Sequence, residues 1–167
     1  MTPISVLILM GSDSDAPVMQ AAVDVLKEFQ IACEMTVASA HRSPERVMRL
    51  VSDAPGRGVK VFIVGAGAAA HLAGVVAAHS PLPVIGVPID SSALKGLDAL
   101  LSTVQMPPGV PVATVSIGKP GATNAGVLAA QIIASGDPTM AARVVEYKRR
   151  LAEKVEAAAA RLSSSPA

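Results

Sequence analysis

His41 and Arg42 stand side by side in Ser39-Ala40-His41-Arg42-Ser43-Pro44, and together they offer two kinds of chemistry. An imidazole changes protonation near neutral pH, so it can carry a proton to and from a substrate. A guanidinium presents a planar fork of donors to a phosphate or carboxylate. A histidine beside an arginine is also ordinary loop surface, so the pair takes its meaning from its neighbours. Gly11-Ser12-Asp13-Ser14-Asp15 combines hydroxyls with free backbone N–H groups at a helix start, where an anion is favoured. Asp15 adds an acceptor suited to sugar hydroxyls. The same Ser and Asp residues are equally the preferred N-caps. Gly65-Ala66-Gly67-Ala68-Ala69-Ala70-His71 is a small-residue turn that lets backbone N–H groups approach a flat or anionic ligand. His71 there is either a packing or hydrogen-bonding residue or a second base.

Three later segments are candidates of a weaker kind. Pro88-Ile89-Asp90-Ser91-Ser92 opens a polar loop, and Gln105-Met106-Pro107-Pro108-Gly109 is stiffened by its prolines. Gln105 and Met106 lie ahead of a strand, so they would reach a site at the strands' carboxyl ends only from a neighbouring subunit. Asn124, in Gly118-Lys119-Pro120-Gly121-Ala122-Thr123-Asn124, could cap a helix or orient a ligand.

Several chemistries are excluded by what is missing. No His or carboxylate cluster has metal-ligand spacing, so no metal is expected. No GxxxxGK[ST] run signals ATP-driven chemistry. A phosphorelay receiver would need an acceptor Asp where the chain has Gly65-Ala66-Gly67, and a flavin module would want aromatic residues beside these loops.

The elements that must position these loops alternate regularly. β-branched runs at Ile4–Met10, Cys33–Ala38, Val59–Val64, Pro83–Val87 and Val110–Ser116 read as strands. The middle three are continuously or nearly continuously apolar, as strands buried on both faces are. Helical patterns occupy Ala16–Phe29, Pro44–Ser52, Ala69–Ala78, Leu94–Thr103 and Ala122–Ser135. Pro44 suits a first helical turn, with Ser43 as its cap. Five strands separated by helices predict an α/β fold, a three-layer α/β/α sandwich of flavodoxin-like type around a central five-stranded parallel sheet. A C-terminal helix is added over about 138–162. It carries Met140, Val144, Tyr147, Leu151 and Val155 at helical spacing, for docking on its own domain or on a neighbour. One domain spans 1–162, and Ser163–Ala167 reads as a flexible tail. Ligands of such sheets bind at the carboxyl ends of the strands, where the three chemical segments fall.

Composition narrows the classes further. The chain has 167 residues, a formal net charge of +1 and 51% hydrophobic residues, but only two Phe, one Tyr and no Trp. Neither a basic surface nor stacking aromatics are available for nucleic acid. Cys33 is the single cysteine, so no disulfide framework is expected, and it reads as a small buried hydrophobe. Met1-Thr2-Pro3-Ile4 lacks the basic start of a signal peptide. The longest apolar stretch, Val61–Ala78, is broken by Gly65, Gly67, His71 and Gly74, which suits strand, turn and helix better than a membrane span. The expectation is a cytoplasmic protein with no membrane partner, its surplus apolar surface buried against copies of itself.

Read together, the segments carry a resemblance. Gly11-Ser12-Asp13-Ser14-Asp15, Ser39-Ala40-His41-Arg42-Ser43-Pro44-Glu45 and Gly65-Ala66-Gly67-Ala68-Ala69-Ala70-His71-Leu72 follow successive strands. Pro83-Val84-Ile85-Gly86-Val87-Pro88, Gly96-Leu97-Asp98-Ala99-Leu100-Leu101-Ser102 and Val104-Gln105-Met106-Pro107 come after them. In this order the chain, from Ile4 to about Ile133, resembles the bacterial class I N5-carboxyaminoimidazole ribonucleotide mutase family. The resemblance implies an isomerase of purine (IMP) biosynthesis that moves a carboxylate from the exocyclic N5 of an aminoimidazole ribonucleotide to its C4. It implies no metal, ATP, biotin or other cofactor, and a homo-octamer with active sites where subunits meet. By position it makes His41 the general acid/base. Ser39 and Arg42 would bind phosphate or fix their loop, with Ser12, Ser14 and Asp15 on the ribose phosphate and sugar. Ala66, Gly67 and Leu72 would wall the base pocket. His71, Gln105, Met106 and Asn124 remain further candidates. A sister class carboxylates aminoimidazole ribonucleotide directly with carbon dioxide; it characteristically has Lys where this chain has Arg42. The family commonly has two adjacent glycines where this chain has Gly67-Ala68. If that position needs a positive φ, Ala68 would strain the loop, and a conformation that alanine tolerates is expected.

Overall fold

Every residue of strand β1, Val6–Met10, is buried, because strands flank it on both edges and helices cover both faces. The computed structural model describes residues 3–163. After β1 come α1 (Ala16–Glu28), β2 (Cys33–Val37), α2 (Pro44–Asp53), β3 (Val61–Gly67) and α3 (Leu72–His79). They are followed by β4 (Val84–Ile89), α4 (Leu97–Val104), β5 (Ala113–Thr114), α5 (Gly118–Ala134) and α6 (Pro138–Ser163). The sheet is parallel throughout, in the order β2-β1-β3-β4-β5, the flavodoxin-like arrangement expected from the alternation of elements.

The two-residue period of a strand sorts its side chains between two cores. Val6, Ile8 and Met10 join Ile63, Ile85 and Val87 under α1 and α5. Leu7 and Leu9 join Phe62 and Val64 under α2, α3 and α4, through Val47, Val51, Ala73, Val76 and Ala99. Helices α1 and α5 touch at Gly126, where a Cβ would lie 2.9 Å from Val25 Cβ. Only glycine lets these helices approach so closely.

Several boundaries differ from expectation, each for a local reason. β2 is half-buried along its length, not buried on both faces, because it is an edge strand. Arg46 of α2 covers that edge, donating from Nε to Val37 O at 2.8 Å and from Nη2 to Thr36 Oγ1 at 2.9 Å. β5 keeps only two of the seven residues expected, since Pro107, Pro108 and Pro111 remove ladder donors ahead of it. β3 and β4 run on to Gly67 and Ile89. α3 starts at Leu72 rather than Ala69, after a positive φ at Ala68. α4 starts at Leu97 rather than Leu94, after positive φ values at Lys95 and Gly96. α5 starts earlier than expected, taking Lys119-Pro120 into its first turn, where the missing proline N–H costs nothing.

Asp137 opens α6 by accepting the N–H groups of Thr139 and Met140 at 2.9 and 3.1 Å, with Pro138 in the first position. Met140 is buried, and Tyr147 packs on Phe29 with ring centroids 5.0 Å apart. Arg143 Nη1 donates to Phe29 O at 2.8 Å. Further along, Leu151 and Val155 are 44% and 67% exposed. The stripe therefore divides: its first half docks on its own chain and its second half does not. Ser163 belongs to α6, while residues 164–167 of the expected tail lie outside the described residues. Cys33 is half-buried rather than fully so, and burial pushes its thiol up. Among the described residues no helix is long and apolar enough to cross a membrane. The stretch Val61–Ala78 divides into β3, a turn and most of α3.

Candidate active site

β1 and β2 end at one level, Met10 pairing with Val37 on one side and with Gly65 of β3 on the other, and β3 runs two residues further to Gly67. The backbone continues the register for one more step: Ala38 N–H donates to Met10 O at 2.8 Å and Gly11 N–H to Gly65 O at 3.2 Å. From β1 the chain turns one way to β2 and then crosses back to β3. The loops after these strands therefore part at a topological switch point, where open α/β sheets form clefts. A cleft of about 300 Å³ lies there, and its lining includes Ser12, Ser14, Asp15, Ser39, His41 and Arg42. Ala66, Gly67, His71 and Leu72 complete the expected set around it.

The first loop is a realised capping box. Ser12 Oγ accepts Ser14 N–H at 3.3 Å, and Asp15 Oδ2 accepts Ser12 N–H at 3.2 Å. Ser14 Oγ donates to Ser12 Oγ at 2.8 Å. Capping and cleft lining are thus performed by the same residues. Asp15 is buried, which raises its carboxyl above the ordinary range; the Ser12 N–H and the Arg42 charge oppose that rise, and Asp13 adds to it.

The second loop is tied to the first through Arg42. Its Nη2 donates to Gly11 O at 3.0 Å, and its Nε and backbone N–H reach Ser39 Oγ at 3.4 and 3.2 Å. The guanidinium still has donors to spare, since a fork of five N–H groups uses two in these contacts. Ser43 stands at the N-cap position of α2 but makes no side-chain cap bond. Its hydroxyl instead donates to Ser39 O at 3.2 Å, and Ser39 N–H donates back to Ser43 Oγ at 3.2 Å. It closes the loop that carries His41 rather than capping the helix.

The third loop supplies both wall and partner. Ala66 and Leu72 are buried and apolar. Ala68 adopts φ +52, the left-handed region, and does not line the cleft. The tolerant conformation expected for this alanine is therefore not the one it has: the position does require a positive φ. His71 precedes the first residue of α3, and its Nδ1 lies 2.9 Å from Nε2 of His41.

Gln105, Met106 and Asn124 are not brought to this cleft. Gln105 and Met106 follow α4, with Met106 Sδ close to Gly74 of α3. Asn124 is exposed in the second turn of α5 and caps nothing. Gly11, Ala40, Ala69 and Ser91 also line the cleft; each belongs to a segment named as a candidate, but none carries a role of its own in the sequence reading. Ser91 had one usable signal: it follows β4, the strand next to β3, on the same carboxyl edge. Among the described residues, no three His, Cys, Asp or Glu side chains are grouped to hold a metal ion. The cleft thus offers a proton carrier, a guanidinium, hydroxyl groups, one buried carboxyl and an apolar wall.

The chain is similar to known proteins. Residues 5–154 match the AIR carboxylase family. The chain is 54% identical over 155 residues to the N5-carboxyaminoimidazole ribonucleotide mutase of Thermotoga maritima, covering 93% of this chain and 90% of that one. It is 55% identical over 155 residues to the enzyme of the same name from Mycobacterium tuberculosis, covering 93% of this chain and 88% of that one. The crystal structure of Treponema denticola PurE superposes with a TM-score of 0.85 at 30% identity, covering 94% of this chain and 97% of that one.

Proposed function

Because the chain belongs to the AIR carboxylase family, we propose that it is an N5-carboxyaminoimidazole ribonucleotide mutase with His41 as its general acid/base. The enzyme is an isomerase of purine biosynthesis. The observation that carries the assignment of roles is the gathering of His41 and Arg42 with Ser12, Asp15 and Ser39 around one cleft.

The reaction divides into two halves. As the carbamate C–N bond breaks, its electron pair returns to N5, His41 gives that nitrogen a proton, and carbon dioxide is released. The ring carbon C4 then attacks the carbon dioxide, and His41 takes the proton that C4 loses. One proton leaves the imidazole and one returns, so a single group serves both halves without a cofactor. Carbon dioxide must stay beside the ring between the steps, and the apolar wall of Ala66 and Leu72 with the close backbone at Gly67 suits that task. Arg42 and Ser39 bind the phosphate, with Ser12 and Ser14 beside them, and Asp15 accepts from the ribose.

The working assembly is a homo-octamer in the cytoplasm. Leu94, Leu97, Leu101 and Val104 are 62%, 53%, 48% and 47% exposed along one stretch around α4, a surface that a neighbouring copy would cover. Gln105 and Met106, remote from their own chain's cleft, would then serve a neighbour's.

Two assays test the reading. The native protein is expected to convert the labile carbamate nucleotide without added bicarbonate; product formed only from aminoimidazole ribonucleotide with bicarbonate would make it a carboxylase instead. His41→Asn is expected to bind nucleotide normally and to lose about 10²- to 10⁴-fold in turnover. Unchanged turnover would remove His41 from the chemistry.

A further inference from the structure

His41 and His71 come from loops after different strands, and their rings meet edge to face at 85° with centroids 5.0 Å apart. Nε2 of His41 and Nδ1 of His71 are 2.9 Å apart. One hydrogen fits between two ring nitrogens at that distance, and a second does not. Whichever ring carries it, the other presents a lone pair. The contact therefore excludes the state in which both rings are doubly protonated.

His71 is itself well placed to act as the fixed partner. Its backbone N–H donates to Ala69 O at 2.8 Å, and its carbonyl accepts Val75 N–H at 3.0 Å as α3 begins. The other titratable groups lining the cleft are Asp15 and Arg42. Asp15 is engaged by Ser12 N–H, and Arg42 by Gly11 O and Ser39 Oγ. Among the described residues, the hydrogen-bonding partner of the His41 imidazole is His71.

We infer that His71 is a positioning residue, which holds Nε2 of His41 through one shared hydrogen and leaves Nδ1 as the nitrogen that exchanges protons with substrate. In this arrangement the ring hydrogen of His71 is on Nε2 and its Nδ1 accepts from His41. His41 can then gain and lose a proton at Nδ1 without turning its ring. An orienting acceptor of this kind fixes tautomer and plane together. What the imidazole does next rests on the mutase reading; the contact and the tautomer do not.

The test uses ring ¹⁵N NMR of the full-length protein beside its turnover. In the native protein His41 is expected as the Nε2–H form and His71 with an unprotonated Nδ1. His71→Ala should move the His41 nitrogen shifts towards those of a free imidazole and lower kcat by about 10- to 100-fold, with KM within about threefold. His71→Asn, which still offers a hydrogen-bonding group, should recover most of that rate. His41 nitrogen shifts that superimpose in the native and His71→Ala proteins would overturn the inference, as would a change confined to KM. A native protein that fails to turn over the carbamate would sink the mutase reading while leaving the nitrogen shifts to decide this one.

Discussion

The hydroxyl of Ser91 fills the space that a side chain on Gly67 would need: a Cβ there would lie 1.8 Å from Ser91 Oγ, 2.9 Å from Ser91 Cβ and 3.2 Å from Ile89 O. The loops after β3 and β4 therefore meet backbone against side chain at the cleft. Gly67→Ala must push the Ser91 loop outward, at a cost of about 1–3 kcal/mol as for other overpacked sites. Ser91→Gly removes two of the three close atoms. In a double-mutant cycle the pair should be less destabilised than Gly67→Ala alone, read as denaturant midpoints. Strict additivity would mean that the two loops do not press on each other.

Ala68 occupies φ +52 one residue further on. An L-residue in this region carries a cost of roughly 1–2 kcal/mol that glycine escapes, although glycine loses more chain entropy on folding. Ala68→Gly should therefore stabilise the protein by up to about 1 kcal/mol, seen as a rise in Tm. Turnover should hold, because Ala68 does not line the cleft. A lower Tm would show that the surrounding turn prefers alanine.

Gly67 and Ala68 illustrate which features a sequence announces and which it does not. The alternation of β-branched and helical runs specified a parallel sheet, and with it the edge on which Ser12, His41 and Gly67 had to meet. Nothing in the letter alanine at position 68 announces a left-handed backbone, so the late start of α3 was not legible. Ser43 looked like a cap because serine before proline usually is one; its turn back to Ser39 depends on the tertiary path of the loop. The contact between His41 and His71 spans thirty residues and the crossover through α2, so only the register of β1, β2 and β3 brings the rings together. The shortness of β5 is legible in Pro107, Pro108 and Pro111, whose missing N–H donors outweigh the β-branched run that follows.

Asp15 links stability to pH at the site. Its folded carboxyl lies above the ordinary value of 3.8, chiefly through burial, so the folded state holds that proton more tightly than the unfolded chain does. Stability contributed by this group is therefore greatest below about 3.8. It declines as pH rises through the raised folded value, and the deficit is constant above it. Asp15→Asn keeps an acceptor for the Ser12 N–H but has nothing to ionise. The variant should match or exceed the native protein in Tm at neutral pH, and its advantage should shrink as the solution is acidified towards 3.8. Substrate binding should move the other way: losing a charged acceptor for the ribose costs about 1.5–3 kcal/mol, or roughly tenfold to a hundredfold in affinity. Calorimetry across the acid range and nucleotide titration at neutral pH read the two effects separately. A variant less stable at every pH would mean that the carboxylate's bond to Ser12 outweighs its burial. A variant that binds nucleotide as tightly as the native protein would take Asp15 off the ribose.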